Sequence, residues 1–244
     1  MSVALMRDTE NREVSTLAIA CMDWRLNGVM DKRNDGATAF LRGAGSSQDL
    51  LGSLKKITRE HPELKHIEVI THSDCGAAGV IYKAKYDYEN YAAIGMSQSV
   101  WRRIVDKFDE KKFKDKEEVA LENGTALEKR IVHNVWRWSD ADVAMKHVDL
   151  SRVEVPQDGG KHTLVLMKPS TQKYSETIEA WGLEETGAYV VQAENLLDML
   201  PDIELASRAL HIDKVFAEAG HNGFRQKELA SIRRRLGVSA TCLV

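Results

Sequence analysis

The chain has 244 residues, of which 43% are hydrophobic and 29% charged, and its formal net charge is −3. This composition excludes a disordered chain, and the charge gives no overall attraction to nucleic acid or to anionic membranes. The N-terminus becomes charged too early for a secretory signal, and no apolar run has the length of a membrane span, so we expect a cytoplasmic protein. We predict a single α/β domain over residues 1–244, with a subdomain boundary near residues 155–162, where Pro156 and two glycines indicate a loop.

Apolar runs alternate with a helical pattern in the first third of the chain. Strands are predicted over Thr16–Ala20, Ala39–Leu41 and Ile67–Ile70, and a helix that ends at Pro62 is predicted between the second and the third. This order is typical of parallel βαβ units, in which the carboxyl ends of the strands meet at one edge of the sheet. We therefore predict a predominantly parallel sheet flanked by helices.

The middle of the chain has the pattern of helices. Apolar residues from about residue 98 to Phe108 recur on one helical face. Gly124 is predicted to break the next segment, and Thr125 with Glu128 has the spacing of a capping box. A new helix is therefore predicted to begin at Thr125.

The last third of the chain alternates between strand and helix patterns again. Strands are predicted over Thr163–Met167, Ala188–Val191 and Asp213–Ala217, and helices over Leu196–Leu210 and through Leu229, Ile232 and Leu236. The segment Leu210–Glu218 resembles Leu64–His72, which indicates a second strand-turn-helix unit. The likeness is too short to establish an internal repeat.

Residues with metal-binding side chains follow two of the predicted strands. Cys21 comes directly after the first strand, and His72 and Cys75 follow the third. Taken separately, each is explained by a buried cysteine or by a hydrogen-bonded histidine. Taken together at one sheet edge, two thiolates and an imidazole are typical ligands of tetrahedral Zn²⁺ and leave a fourth position for water or substrate. We therefore predict a zinc site with Cys21, His72 and Cys75 as ligands.

Two further residues of the first motif carry charges suited to catalysis. In an extended segment, Cys21, Asp23 and Arg25 share one face, so a carboxylate and a guanidinium are expected beside the metal. The same stretch has a plainer alternative, which is a surface ion pair beside a buried thiol.

These residues, in this order, resemble the β-class carbonic anhydrases over roughly residues 14–82. The shared pattern is Cys21-x-Asp23-x-Arg25, then Arg42-Gly43-Ala44-Gly45, then His72-x-x-Cys75-Gly76. The resemblance implies a β-carbonic-anhydrase-like fold with a remodelled C-terminal half, a small-molecule substrate and a homodimer. It also implies reversible hydration of CO₂ to bicarbonate by zinc-hydroxide attack, with Arg25 holding Asp23 and Asp23 accepting a hydrogen bond from the hydroxide.

The sequence departs from the family pattern at two positions and leaves alternatives open. Trp24 replaces a serine and Gly43 replaces an asparagine, and the tryptophan either packs under the sheet or reshapes the mouth of the site. One alternative function is hydrolysis of CS₂ or COS on the same zinc. The other is a non-catalytic, zinc-stabilised binding protein in which Asp23 permanently fills the fourth zinc position.

Three residues outside this set have open roles. Arg42 either braces the site or packs a turn. His221 is either a surface residue of a turn or a group of the substrate pocket. Cys242, near the C-terminus, is interpreted as an incidental thiol.

Overall fold

A computed structural model describes residues 13–45, 50–86, 102, 111–135, 139–152, 163–182, 188–210, 212, 214–218, 223–236 and 240–243. Strands in this part of the chain are β1 (Thr16–Cys21), β2 (Thr38–Gly43), β3 (His66–His72), β4 (Asp142–Val148), β5 (Thr163–Met167), β6 (Tyr189–Gln192), β7 (Lys214–Glu218) and β8 (Ala240–Leu243). Helices are α1 (Asn27–Arg33), α2 (Leu51–Glu60), α3 (Gly76–Tyr86), α4 (Lys116–Val135), α5 (Tyr174–Ala180), α6 (Leu200–Ala209) and α7 (Gln226–Leu236). Short 3₁₀ turns cover Trp24–Leu26 and Leu150–Arg152.

The strands form one continuous sheet in the order β4-β3-β1-β2-β6-β5-β7-β8. Neighbouring strands are parallel except β2 and β6, which pair antiparallel where Arg42 meets Gln192. The predicted α/β class with a predominantly parallel sheet is confirmed. Its inner strands are apolar runs because helices cover both faces of the sheet, which leaves β2 and β5 fully buried.

The edge strands were missed by the sequence prediction. In β4, the half-buried Val143, Met145 and Val148 are separated by exposed residues, so only one face of the strand is covered. This alternating pattern is the signal of a half-buried edge strand and differs from the apolar runs that marked β1 and β3. The other edge strand, β8, has only four residues and gives too short a pattern to recognise.

The predicted break at Gly124 and the capping box at Thr125 and Glu128 are wrong. Helix α4 runs through both positions, and the Thr125 hydroxyl donates to the carbonyl of Leu121, one turn earlier. A glycine stands at position 124 because α4 lies close against β3 and β4. A Cβ there would contact the Thr71 side chain and would lie 3.1 Å from Met145 Sδ.

We expect Gly124→Ala to destabilise the protein although alanine favours helix. The added methyl group would overpack the contact with Thr71, which lowers the free energy of unfolding by about 1–3 kcal/mol. Chemical denaturation would measure this. The matched control is Gly28→Ala in α1, where a Cβ meets nothing within 4 Å and the free energy of unfolding should stay unchanged or rise by up to about 1 kcal/mol. Equal stability of the two variants would contradict the packing argument.

The C-terminal predictions agree with the structure except in their bounds. Helix α6 begins at Leu200, four residues later than predicted, and Pro201 lies in its first turn, where a missing amide hydrogen removes no helical bond. The predicted helix from residue 98 and the subdomain boundary fall mostly or wholly outside the described residues, and the single domain stays a prediction. Within the described ranges, the structure has no helix with both the length and the apolar character of a membrane span.

Candidate metal centre

The two metal-binding motifs meet because β1 and β3 are neighbours in the sheet. Cys21 and His72 are the last residues of these parallel strands, and Cys75 directly precedes α3. All three side chains are buried, and their ligand atoms lie within 4.8 Å of one another. The two sulfur atoms are 3.8 Å apart. Two sulfurs at about 2.3 Å from one tetrahedral zinc ion would have a separation of about 3.8 Å.

His72 presents one ring nitrogen to this group without another partner. Its Nδ1 lies 2.9 Å from the carbonyl oxygen of Ser73 and donates to it, which leaves the lone pair on Nε2. Among the described residues, Nε2 of His72 is the buried side-chain nitrogen or oxygen atom without a hydrogen-bond partner. A buried polar atom without a partner needs an explanation, and a metal ion supplies one. The donor set therefore fits zinc.

The protonation of the ligands is coupled. The pKa of Cys21 is lowered, because the Cys75 thiol donates a hydrogen bond to its sulfur, and burial only partly opposes this. The pKa of Cys75 is raised, because it donates that bond and is buried. Burial lowers the pKa of His72 and is the largest single influence on it, but the interaction with Cys21, the negative charge of Asp23 and the hydrogen bond to Ser73 together outweigh it, and the net shift is upward. These opposite directions make Cys21 the thiol that ionises more readily, and the amide of Gly45 also donates toward its sulfur, at 3.4 Å.

We expect the affinity for zinc to rise steeply with pH. Cys75 and His72 have raised pKa values in the metal-free protein, and both must lose a proton before they can bind a metal. The affinity for zinc should therefore fall as the pH decreases and these two side chains become protonated. Competition with a chromophoric chelator between about pH 6 and pH 8 would measure it, because histidine titrates there. An affinity that is independent of pH would contradict these ligands.

Asp23 and Arg25 form a partly buried ion pair beside the ligands. The guanidinium of Arg25 donates from its Nε to Oδ1 of Asp23 at 3.0 Å and from a terminal nitrogen to Oδ2 at 2.6 Å. The Asp23 side chain is 7% exposed, and its Oδ2 lies 3.9 Å from Nε2 of His72. Bidentate pairs of this kind hold a carboxylate in one orientation. The sequence prediction placed both residues at the site, and the geometry brings them there.

Asp74 completes the arrangement and was not identified from the sequence. It occupies left-handed backbone space, with φ of 54°, between His72 and Cys75. Its carboxylate accepts from Arg25 at 3.0 Å and pairs with Lys116 of α4. The signal that could have found it is a carboxylate inside the second ligand motif. Arg25 is thereby held between two carboxylates, and its pKa is raised, chiefly by Asp23.

Arg42 braces the loop that carries the first motif. It is 1% exposed, and its guanidinium donates to the carbonyl oxygens of Cys21 and Asp23, at 3.1 and 2.9 Å, and to the side-chain oxygen of Asn27 at 2.6 Å. Burial lowers its pKa to about 10, which leaves the group charged at neutral pH. Of the two roles considered for Arg42, these hydrogen bonds favour bracing. Gly43, the residue after Arg42 in β2, is the register partner of Cys21 in β1.

We expect Arg42→Lys to lower the free energy of unfolding by about 2–5 kcal/mol. A lysine cannot reproduce the planar set of donors, so two buried oxygens lose their partner at about 1–3 kcal/mol each. Urea denaturation of the metal-free protein would measure the loss. Arg33→Lys is the control, since Arg33 pairs with Glu68 at a partly exposed site and should change stability by less than about 1 kcal/mol.

Two of the ligands, Cys21 and Cys75, line a cavity of about 470 Å³. Asp23 and Arg25 line it as well, and so does Trp24, which is buried, so the tryptophan shapes the site. Further lining residues come from α3, α4, β6 and α6, and include Val80, Lys83, Lys116, Tyr189, Leu205 and Ala209. His221 falls outside the described residues, and its role stays open.

No protein-family model matches the chain, and no curated protein matches it. Solved structures similar to it include the β-carbonic anhydrase CcaA, with a TM-score of 0.40 and 17% identity over 61% of this chain and 80% of that one. A tetrameric β-carbonic anhydrase from Sordaria macrospora has a TM-score of 0.39 and 19% identity, covering 61% and 83% of the two chains. A carbonic anhydrase from Glaciozyma antarctica has a TM-score of 0.39 and 15% identity, covering 60% and 82%. The chain is thus similar to these enzymes at low identity, while the arrangement of Cys21, His72 and Cys75 is what points to its chemistry.

Proposed function

We propose that the protein catalyses the zinc-dependent reversible hydration of CO₂ to bicarbonate. The observation that carries the proposal is the convergence of Cys21, His72 and Cys75, with a free Nε2 and a sulfur separation of 3.8 Å, beside the Asp23–Arg25 pair. These three residues would hold Zn²⁺. When bound, zinc lowers the pKa of a coordinated water from about 15.7 toward about 7.

Asp23 is the residue that orients the nucleophilic water. Its Oδ2 lies beside the ligand group and can accept a hydrogen bond from a water molecule there, which directs the oxygen lone pair toward the substrate. Arg25 holds both carboxylate oxygens, so Asp23 does not swing freely. Asp74 and Arg42 fix this pair from two sides, Asp74 through the guanidinium and Arg42 through the backbone.

The cavity suits both the substrate and the product of this reaction. CO₂ is linear and without net charge, and Trp24, Val80 and Leu205 give it an apolar wall next to the reacting water. Bicarbonate is an anion, and Lys83 and Lys116, the latter paired with Asp74, are cationic residues of the cavity lining that would attract negative charge.

The test is stopped-flow CO₂ hydration by protein whose zinc content is known. We expect a rate well above that of the buffer, which disappears when zinc is removed with a chelator and returns when zinc is added back. Zinc-loaded protein no faster than buffer would refute the proposal.

Hydrolysis of CS₂ or COS is the second candidate. The wall formed by Trp24, Leu205 and Tyr189 favours it, because CS₂ is more apolar than CO₂ and these side chains offer mainly apolar surface. Sulfide release from CS₂, measured beside CO₂ hydration on the same zinc-loaded sample, separates the two. Sulfide without CO₂ hydration would favour this candidate.

The third candidate, a non-catalytic zinc-stabilised protein, requires Asp23 to fill the fourth position. The pairing of both Asp23 oxygens with Arg25 supports the catalytic alternative, because a carboxylate held in this way is turned toward the guanidinium. Tight zinc binding without any exchangeable water at the metal across a pH titration would support the third candidate.

The homodimer and the cytoplasmic location are part of the same proposal and follow from the sequence resemblance and the sequence composition. Light scattering at micromolar concentration tests the first, and a monomer would contradict it.

A further inference from the structure

The two halves of the sheet have the same strand order. From its outer edge inward, the first half is β4-β3-β1-β2, and the second half is β8-β7-β5-β6. The fifth strand thus takes the place of the first, the sixth that of the second, and so on through the eighth. Four strands can be arranged in many orders, so this agreement is evidence of a repeat.

The helices follow the same rule. Among the described residues, α1 and α5 lie between the first two strands of each half, and α2 and α6 lie between the next two. The described part of the last connection holds α3 and α4 in the first half and α7 in the second. We call residues 14–152 the N-terminal unit and residues 163–243 the C-terminal unit. Their second strands, β2 and β6, pair antiparallel, as two equivalent strands do when a two-fold axis relates them.

The register of the strands identifies the counterpart of Cys21. Arg42 and Gln192 face each other at the junction of the units, and their register partners toward the outside are Ala20 and Met167. The next residue is Cys21 in the N-terminal unit, and Lys168 in the C-terminal unit. In the third strands of the two units, Ile70 is the register partner of Ala20, and Glu218 follows Ala217, the register partner of Leu166, so Glu218 takes the place of Ile70. By the same register, the position equivalent to His72 is two residues beyond Glu218 and lies outside the described residues.

An ion-pair cluster occupies this end of the C-terminal unit. The backbone amide of Lys168 donates to Oε2 of Glu218 at 2.8 Å, and its ammonium bonds the carbonyl of Glu194 and lies 3.8 Å from the Glu194 carboxylate. The ammonium also lies 4.7 Å from the centre of the Phe224 ring. A fixed ammonium repels a metal cation and offers it no lone pair. Over the described residues, Cys21, His72 and Cys75 are the one group suited to hold a metal ion.

The C-terminal unit instead supplies a wall of the metal cavity. Tyr189 of β6 and Leu205, Ala206 and Ala209 of α6 line it opposite the ligands. Buried hydrogen bonds fix this wall: the amide of Val190 donates to the carbonyl of Met22 at 3.0 Å, and the amide of Ala44 donates to Asp202 at 2.9 Å. Both units of one chain therefore contribute to the described lining of the cavity.

We infer that the C-terminal unit is a second copy of the N-terminal unit whose metal site has been replaced by the Lys168–Glu194–Glu218 cluster, and which now acts as a built-in partner that shapes the substrate pocket. Residues of this unit, with Ala209 and Leu205 foremost, are specificity-determining. The pocket role rests on the proposed function, and the loss of the second metal site rests on zinc binding by the first site together with the cluster.

Zinc stoichiometry tests the replaced site. The full chain, saturated with zinc and freed of excess, should contain one zinc per chain, and Lys168→Met should lower the midpoint of thermal unfolding while leaving that ratio at one. Two zinc ions per wild-type chain would overturn the inference and leave the proposed function intact. A chain without zinc would overturn the proposed function, and the inference with it, since no metal site would remain for the second unit to have lost.

A pocket variant tests the built-in partner. Ala209 is half-buried and lines the cavity, so Ala209→Phe should reduce kcat/KM for CO₂ by tenfold or more while zinc content and thermal stability stay at the wild-type level. Leu205→Ala, which enlarges the cavity, should change KM more than kcat. Leu197→Phe is the control, since Leu197 is an exposed leucine of the same unit outside the cavity. Wild-type kinetics of both pocket variants, in protein active on CO₂, would overturn the pocket role.

Discussion

Cys75→Ser should abolish both zinc binding and CO₂ hydration. A serine hydroxyl is a poor ligand for zinc beside one thiolate and one imidazole, and the sulfur of Cys75, 3.8 Å from that of Cys21, has the separation expected of two sulfurs on one zinc ion. We expect the affinity for zinc to fall by more than about 100-fold, beyond the 10–100-fold typical of changes around a ligand. Elemental analysis after dialysis and stopped-flow hydration on the same sample would measure both.

The control for this variant is the third cysteine of the chain. Cys242→Ser should bind as much zinc as the wild-type protein and should keep its activity, because Cys242 lies on β8 at the far edge of the sheet. If Cys75→Ser retains zinc at the wild-type level, the assignment of the ligands is wrong. If it loses activity but keeps zinc, Cys75 acts in catalysis in some other way.

Asp23→Asn should separate metal binding from catalysis. The asparagine is nearly isosteric and keeps one acceptor, but it removes the negative charge that pairs with Arg25 and orients the water. We expect kcat for CO₂ hydration to fall by about 10²–10⁴-fold, the range for loss of a positioned acid or base, with zinc content unchanged.

A control variant makes the result for Asp23→Asn specific. Asp142→Asn, at an exposed position on β4, should leave the rate unchanged, because its side chain is 88% exposed and far along the strand from the metal-ligand end. Activity of Asp23→Asn equal to that of the wild type would show that Asp23 has no part in the reaction. Loss of zinc together with activity would instead make Asp23 a ligand, as in the non-catalytic alternative.

The local sequence pattern was sufficient to predict the buried strands. The runs in β1, β3 and β5 are mainly apolar because both faces of these strands are largely covered. Runs of this length are typical of strands and are too short for most helices. The same reasoning failed at Gly124. Glycine there indicated a break by local propensity, whereas the close approach of α4 to Thr71 requires it inside the helix.

The metal centre was also largely predictable, because ligands follow strands that must be parallel neighbours. Cys21, His72 and Cys75 could be assigned from residue type and order alone, and Asp23 and Arg25 from their shared face. Asp74 was marked only by its residue type inside the second motif, because its pairing with Arg25 depends on a turn in left-handed backbone space and on Lys116, forty-two residues later.

The sequence by itself determined the α/β class and the residues that can hold zinc, because strand burial and ligand chemistry are properties of short segments. Only the tertiary structure decided how the chain is divided and what surrounds the metal. The junction of β2 with β6 and the wall formed by β6 and α6 arise from contacts between residues more than a hundred positions apart, and the Lys168 cluster joins residues 26 and 50 positions apart. Short sequence patterns cannot predict such contacts. Equivalent strands of two units need to share only their degree of burial, and the side chains at their ends can differ.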